Sequence, residues 1–216
     1  MNFLKKIWNA CKQPMLSTLV LMLICGLGFP LLLSGLSALI FPHQANGSLV
    51  TAGDKTIGSE FVGQEFTKPY FMKSRPSAVH YNTYFVDEEG KQVYADGSAF
   101  GGLASGSQNM GPSNPALAKR VEEDLAAFLA ANPAIKREDI PTDLLTASGS
   151  GLDPHISPAS AAVQLPALSQ ASGLSMEQLE AIVANNTTGK LLGLFGEETV
   201  NVLGVNLEIA QAMGLI

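Results

Sequence analysis

The sequence predicts a mixed α/β (α+β) domain behind one N-terminal transmembrane helix. Residues 15–41 form an apolar run of 27 residues, and no charged residue lies between Lys12 and Asp54. The remainder mixes short apolar runs separated by glycine with segments in which apolar residues recur at helical spacing. Together these observations indicate a membrane anchor followed by one globular domain.

The apolar run is long enough to cross a membrane, because a bilayer core about 30 Å thick needs roughly 20 helical residues. Pro30 and the glycines inside it are tolerated in spanning helices, and Pro30 is expected to kink the helix. Lys5, Lys6 and Lys12 precede the run. By the positive-inside rule they predict a cytoplasmic tail (1–14), a transmembrane helix (15–41) and an extracytoplasmic domain (42–216).

A cleaved signal peptide is the alternative, since a basic region also opens such peptides. Their apolar regions usually hold about 7–15 residues, and only the weak small-residue stretch from Ser34 to Ala38 could serve as a cleavage site. A lipoprotein signal is disfavoured because the bulky Ile24 directly precedes Cys25. We therefore expect the helix to be retained.

The charge of the outer part excludes a class of partner. All 19 acidic residues lie from Asp54 onward, with 10 of the 13 basic ones, so this part carries a net charge of −9. Nucleic-acid binding draws most of its affinity from Lys and Arg on phosphates and is not expected. The domain has no cysteine after Cys25, which excludes a disulfide or thiolate metal site there.

The first half of the domain is predicted to be strands and loops. Residues 48–66 contain short apolar runs divided by glycines and predict two short strands or a hairpin. Residues 86–93 predict a second hairpin with its tip at Glu89-Gly90. Residues 42–48 are turn-rich, and residues 95–115 predict a long loop.

Helices are predicted in the second half. Asn114 and Pro115 are typical N-cap and first-turn residues, and Asn132-Pro133 ends that helix. Ser157-Pro158 predicts a helix that bends or ends near Pro166. Ser175 with Gln178 predicts a capping box for a helix that runs to about Asn185. Residues 191–207 predict a strand followed by a short helix.

Catalytic patterns are sparse. No serine has glycine at both −2 and +2, so the nucleophile elbow is absent. Residues 187–190 resemble the end of a phosphate loop but lack its first glycine, and they are interpreted as a turn. Asp153 is interpreted as capping a turn with His155 bonded nearby, the alternatives being a metal ligand or a partner contact. We expect a protein that is not an enzyme; a membrane-tethered extracytoplasmic hydrolase or a ligand-binding module is the alternative.

Eight segments, in order along nearly the whole chain, resemble the C subunit of the Kdp-type high-affinity potassium-transporting P-type ATPase. They are residues 29–32, 41–48, 58–64, 70–71, 75–77, 111–116, 150–158 and 200–203. Residues 83–100 depart from shorter relatives as a surface elaboration. The candidate partner-contact or family-motif residues in or beside these segments are Pro30, Pro42, His43, Gln44, Asn46, Gly47, Arg75, Pro76, Asn114, Pro115, Asp153, His155 and Ser157.

The resemblance implies a non-catalytic subunit of a complex in the cell (inner or plasma) membrane. Its implied partners are a channel-like potassium-translocating subunit, a P-type ATP-hydrolysing subunit and a small single-span peptide. The family is described as a catalytic chaperone that raises the ATPase subunit's affinity for ATP. ATP is therefore an association of the family, with no ligand residue assigned here, and K+ is expected to be handled by the partner.

Overall fold

A computed structural model describes residues 2–94 and 97–216. The chain divides into two compact units, one ending at Leu49 and the other running from Val50 to Ile216. The first unit is a helix, and the second is a mixed domain of helices and short strands, which confirms the predicted fold class.

The first unit is one helical rod followed by a short turn of helix. Its elements are α1 (Asn2–Leu23), a π-helical segment (Ile24–Gly28), α2 (Phe29–Ile40) and α3 (Pro42–Ala45). The stretch Lys5–Ile40 is long and apolar enough to cross a membrane, and its most apolar window is fully exposed in the described structure. This helix contains residues 15–40 of the predicted span, whose bounds stay a prediction.

The irregularity expected at Pro30 takes the form of the π-helical segment that precedes it. The Phe29 N–H donates to the Ile24 carbonyl, five residues back, and the backbone at Gly28 and Phe29 stays helical. Pro30 has no N–H, and its ring would collide with the carbonyl four residues earlier in a regular α-helix. The wider turn accommodates the proline without interrupting the helix.

The exit from the helix differs from its prediction as turns alone. It begins with one helical turn, α3, in which Pro42 occupies the first position and His43 and Gln44 follow. Asn46 ends this turn by donating its side-chain Nδ2 to the Pro42 carbonyl at 2.7 Å, and Gly47 then takes a left-handed φ of +89°. Proline is pre-shaped for a first helical turn, which explains the extra element.

From Leu49, the last residue of the first unit, the described residues form seven strands, five α-helices and three 3-10 turns. In order they are β1 (Leu49–Ala52), β2 (Lys55–Ser59), a 3-10 turn (His80–Asn82), β3 (Phe85–Val86), β4 (Gln92–Val93), α4 (Pro115–Ala131), 3-10 turns (Arg137–Asp139 and Thr142–Leu144), β5 (His155–Ile156), α5 (Pro158–Ala162), α6 (Leu165–Ser172), α7 (Met176–Asn185), β6 (Thr187–Thr188), β7 (Thr199–Asn201) and α8 (Val202–Ala212).

Both predicted hairpins are confirmed. β1 pairs with β2, and β3 pairs antiparallel with β4 across a turn at Gly90, whose φ is +79°. The long loop predicted over 95–115 lacks helix and strand from Gly97 to Asn114. Residues 95 and 96 of that prediction lie outside the described residues.

The largest sheet of the domain has three antiparallel strands in the order β5-β7-β6. Val200 at its centre faces Ile156 on one side and Thr187 on the other. The interpretation of Thr187 and Thr188 as a turn was therefore wrong, because they pair with the central strand as β6. A two-residue strand has too little sequence pattern to be distinguished from a turn.

The helices cover this sheet and enclose the main core. Its buried members are Met72, Ile156, Ala161, Leu165, Leu168, Leu174, Leu179, Ile182, Val200, Val202, Val205 and Ile209. A second, smaller cluster packs under α4 around Leu125, Ile140 and Leu144. Helix α8 continues to Ala212, beyond the predicted end.

The predicted helix starts are confirmed by their bonds. Asn114 caps α4 by accepting from the Ala116 N–H, and Ser157 caps α5 by accepting from the Ser160 N–H. Ser175 and Gln178 form the predicted capping box at α7. The helix predicted from Ser157 ends at Ala162, and α6 starts afresh with Pro166 in its first turn.

Candidate functional site

Residues 64–79, a stretch without helix or strand, run across the domain and are fixed by two side-chain amides. Asn206 accepts from the Met72 N–H at 2.7 Å and donates to the Met72 carbonyl at 2.9 Å. Gln164 makes the corresponding pair with Lys73, at 2.8 and 3.3 Å. Each amide bonds the backbone N–H and C=O that a neighbouring strand would pair in a sheet, so residues from the second half of the chain hold this stretch in place.

Arg75 connects three segments from this position. Its Nη1 donates to Asp153 Oδ2 at 3.0 Å, while Nε and Nη2 both lie 3.4 Å from the Thr146 carbonyl. The side chains of Arg75 and Asp153 are 23% and 27% exposed, so the pair is largely withdrawn from water. A charge-assisted bond in such a setting is stronger than one at an open surface.

Asp153 also holds the residue that follows its proline. Its Oδ1 accepts from the His155 N–H at 3.0 Å and lies 3.6 Å from His155 Nδ1. The imidazole and N–H of His155, together with Arg75, hold the pKa of Asp153 below its usual range. The predicted turn cap is confirmed, and the same carboxylate is an ion-pair partner.

Tyr81 and Gly63 close the other side of this junction. The Tyr81 hydroxyl donates to the Arg75 carbonyl at 2.8 Å, and burial raises the pKa of Tyr81 to about 12. Gly63 donates its N–H to the Leu152 carbonyl. A Cβ at Gly63 would lie 2.5 Å from the Tyr81 ring and 2.7 Å from the Asp153 carbonyl oxygen, so only glycine fits there.

Asp143 forms a second carboxylate network at the start of α5. Its Oδ1 accepts from the hydroxyls of Ser160 at 2.6 Å and Ser157 at 3.1 Å, and Oδ2 accepts from the Ser157 N–H at 2.8 Å. Burial alone would raise the pKa of Asp143, but these bonds outweigh it and hold the pKa below its usual range. Both carboxylates are occupied by bonds that join segments of the fold.

A cleft of about 670 Å³ lies between this stretch and α4. Its charged lining residues are Lys73, Arg75, Arg120, Glu65 and Asp124. Lys73 Nζ donates to the Phe66 carbonyl at 2.6 Å, and burial lowers the pKa of Lys73. Arg120 Nη1 donates to Asp124 Oδ2 at 2.8 Å. The walls thus carry three cations and two anions, so the lining has a small excess of positive charge.

The structure brings together only part of the predicted site. Arg75 and His155 both bond to Asp153, Pro76 lines the cleft, and Ser157 bonds to Asp143 in the separate second network. Asn114 and Pro115 instead start α4. The remaining candidates belong to the first unit: Pro30, Pro42, His43, Gln44, Asn46 and Gly47.

Sequence reasoning missed Asp143, Thr146, Ser160, Tyr81 and Gly63. Their partners are set by the tertiary fold, and Asp143 bonds residues 14 and 17 positions away. Among the residues that the structure describes, no three His, Cys, Asp or Glu side chains group as a metal site. The charges of Arg75 and Asp153 are already paired with each other. The polar junction can therefore hold segments of the chain together and form part of the domain surface.

The comparisons with known proteins agree along the chain. The sequence model of the family described as K+-transporting ATPase, c chain, matches residues 11–211. A Clostridium kluyveri protein is 61% identical over 208 residues, covering 96% of each chain. A Clostridioides difficile protein is 52% identical over 206 residues, covering 95% of this chain and 98% of its own. One from Caldanaerobacter subterraneus is 40% identical over 200 residues, covering 93% and 94%.

All three relatives are named potassium-transporting ATPase KdpC subunit. The match includes both the apolar helix and the mixed domain that follows it in sequence, and the chain is a membrane-associated subunit with one N-terminal apolar helix. From this similarity along nearly its full length, we conclude that the chain belongs to the KdpC family of K+-transporting ATPase subunits.

Proposed function

We propose that the chain is a non-catalytic accessory subunit that stabilises an ATP-driven potassium uptake complex. The observation that carries the proposal is that the carboxylates of Asp153 and Asp143 are already hydrogen-bonded within the fold. Asp153 is occupied by Arg75 and His155, and Asp143 by Ser157 and Ser160. Such groups build a rigid docking body, whereas a general acid or base needs a free path to its substrate.

The proposed partners are those that the family resemblance implies: a channel-like subunit, a P-type ATP-hydrolysing subunit and a small single-span peptide. The test is deletion of this chain followed by affinity purification of the transporter and assay of K+-stimulated ATPase activity. Lost activity with the partners still assembled supports a regulatory role, and lost assembly supports a structural one. Unchanged assembly together with unchanged activity would contradict the proposal.

We further propose that the N-terminus faces the cytoplasm and the second unit lies outside. The support is the placement of Lys5, Lys6 and Lys12 before a run without charge. The test is to replace Cys11 and Cys25 by serine and label a single cysteine placed at Ile216 with a membrane-impermeant reagent. Intact cells should be labelled at this position, and a control cysteine at Phe3 should react only after lysis. The reverse pattern would overturn the orientation.

On this orientation the outer domain covers the potassium entrance of the channel-like subunit. Its net charge of −9 would raise the local K+ concentration, with a field screened over about 8 Å at physiological salt. Exposed carboxylates that form no ion pair within residues 2–94 and 97–216 include Glu177, Glu180 and Glu198.

Replacing these three glutamates by glutamine should raise the apparent KM for K+ at low ionic strength and leave it unchanged at high ionic strength. The matched control replaces the same residues by aspartate, which keeps the charge. An apparent KM that does not move at low salt would remove the electrostatic part of the proposal and leave the docking role intact.

Any influence on ATP is proposed to pass through the membrane-embedded partners. With the outer domain on the far side, only the short N-terminal segment shares a compartment with ATP. Coupling between separate sites is reciprocal. Bound K+ should therefore change the affinity for ATP by the same factor by which bound ATP changes the affinity for K+. A chain reduced to residues 1–49 should lose this coupling. Full coupling in the truncated complex would assign the effect to the helix alone.

A further inference from the structure

The N-terminal helix is longer than a membrane requires. At about 1.5 Å per residue, the 27-residue run from Met15 measures about 40 Å, already more than a hydrocarbon core of about 30 Å. Helix α1 nevertheless starts at Asn2, thirteen residues before that run. The first part of α1 therefore lies outside the hydrocarbon, at the membrane surface or beyond it.

The side chains of this extra segment are sorted by character around the helix. At about 100° per residue, the polar residues fall in a sector about 120° wide; they are Lys5, Lys6, Asn9, Lys12 and Gln13. The opposite side carries Phe3, Ile7, Trp8 and Cys11. Phe3 and Trp8 are 75% and 62% exposed, so this apolar side is uncovered.

Pro14 stands where the surface segment meets the spanning run. It lies inside α1 and has no N–H, so the Ala10 carbonyl loses its donor four residues on. Proline is one of the few identifiable causes of a sharp bend in a helix. The segment before it can thus take a different direction from the span without breaking a further hydrogen bond.

We propose that residues 3–13 form a membrane-surface helix that binds the anionic headgroups of the leaflet on the N-terminal side. Lysines on one face with tryptophan and apolar residues on the other are typical of helices that lie in the interface. The segment has three cations and no acidic residue, which complements an anionic surface. Its covalent continuity with the span keeps it at that surface, which favours lipid over a separate acidic protein.

Trp8 is the only tryptophan in the chain and serves as a native probe. The experiment places the full-length chain in nanodiscs of phosphatidylcholine alone or of equal parts phosphatidylcholine and phosphatidylglycerol. Quenching of Trp8 by neutral acrylamide reports its access to water, and lipids brominated on the acyl chain report its contact with the membrane. In the anionic discs we expect a shorter emission wavelength, weaker acrylamide quenching and stronger bromolipid quenching.

The lysines carry the expected lipid dependence. Each contributes about fivefold to attachment at low salt, so replacing Lys5, Lys6 and Lys12 by glutamine should weaken attachment about a hundredfold and return Trp8 to water. Replacing the same three by arginine should preserve the protection. The matched control removes three exposed lysines of the second unit, Lys55, Lys119 and Lys136, and should leave Trp8 unchanged.

Three results would overturn the proposal. Equal Trp8 quenching in neutral and anionic discs would leave an acidic protein surface as the partner of the lysines. Protection produced in neutral discs by millimolar inorganic phosphate would indicate an anion site in place of a lipid surface. Protection that persists in the glutamine variant and at high salt would show burial by apolar contact alone. None of these results depends on whether the outer domain stabilises the complex.

Discussion

Asp153 is bonded through both of its oxygens, which makes its charged form part of the fold. Because its pKa is depressed in the folded state, this charge adds stability above the unfolded pKa of about 3.9. The contribution disappears as the pH falls through the folded pKa. Acid should therefore loosen the junction of Arg75, Asp153 and His155 before the apolar core is affected.

Replacing Asp153 by asparagine should lower the free energy of unfolding by about 1–3 kcal/mol at pH 7, because Arg75 loses a charged acceptor while it remains largely withdrawn from water. The difference from the native chain should shrink as the pH falls below about 4. Chemical denaturation of the outer domain across this pH range measures both effects. Asp54→Asn, at an exposed position in the β1–β2 turn, is the matched control. A pH-independent difference would contradict the assignment.

Gly63 lies where two segments of the chain approach closely. Replacing it by alanine should destabilise the domain by about 1–3 kcal/mol, because the new methyl group would overlap the Tyr81 ring and the Asp153 carbonyl. Gly149→Ala is the control, since a Cβ there meets nothing within 4 Å. Thermal unfolding of both variants tests the prediction, and equal melting temperatures would show that the junction yields without strain.

At the scale of the elements, the unusual feature is the stretch around Met72. Its backbone is bonded by side-chain amides and belongs to no strand. Asn206 is 2% exposed and bonds both backbone groups of Met72 across 134 positions of sequence. Its effect on stability should therefore far exceed that of a surface asparagine.

Asn206→Leu should lower the free energy of unfolding by about 2–4 kcal/mol, because it leaves the Met72 N–H and C=O buried without partners. Hydrogen exchange should rise first at Met72 and Lys73. Asn185→Ala, which removes an exposed bond to Glu208, should stay within about 0.5 kcal/mol of the native chain. Similar losses in both variants would mean that the amide is not what holds this stretch.

Local signals predicted the helix starts well. Asn114, Ser157 and Ser175 each accept the backbone bond expected of a cap, since cap and acceptor lie within three residues. The two-residue strands β5 and β6 and the 3-10 turns were missed because they are shorter than any periodic pattern. In the site, Asp153 and His155 are sequence neighbours and were found, whereas the bonds of Asp143 depend on the folded chain.

At the scale of the whole molecule, the division after Leu49 separates a helix that needs a membrane from a domain with its own core. The residues from Val50 onward should therefore fold without the helix. Expressed alone, residues 50–216 should be soluble and unfold in one cooperative transition, with coincident melting curves from far-UV and near-UV circular dichroism. Gly63→Ala should shift that transition as it does in the full-length chain. A gradual or probe-dependent transition would show that the core needs the helix.

The π-helical segment Ile24–Gly28 also changes which side of the rod meets its surroundings. A turn closed five residues apart holds one residue more than an α turn, so the pattern beyond it is rotated by about 100° relative to the pattern before it. A row of side chains that runs along one side of α1 therefore continues on a different side of the helix in α2. We therefore expect a neighbouring helix that packs along the anchor to contact different rows of side chains before and after this segment.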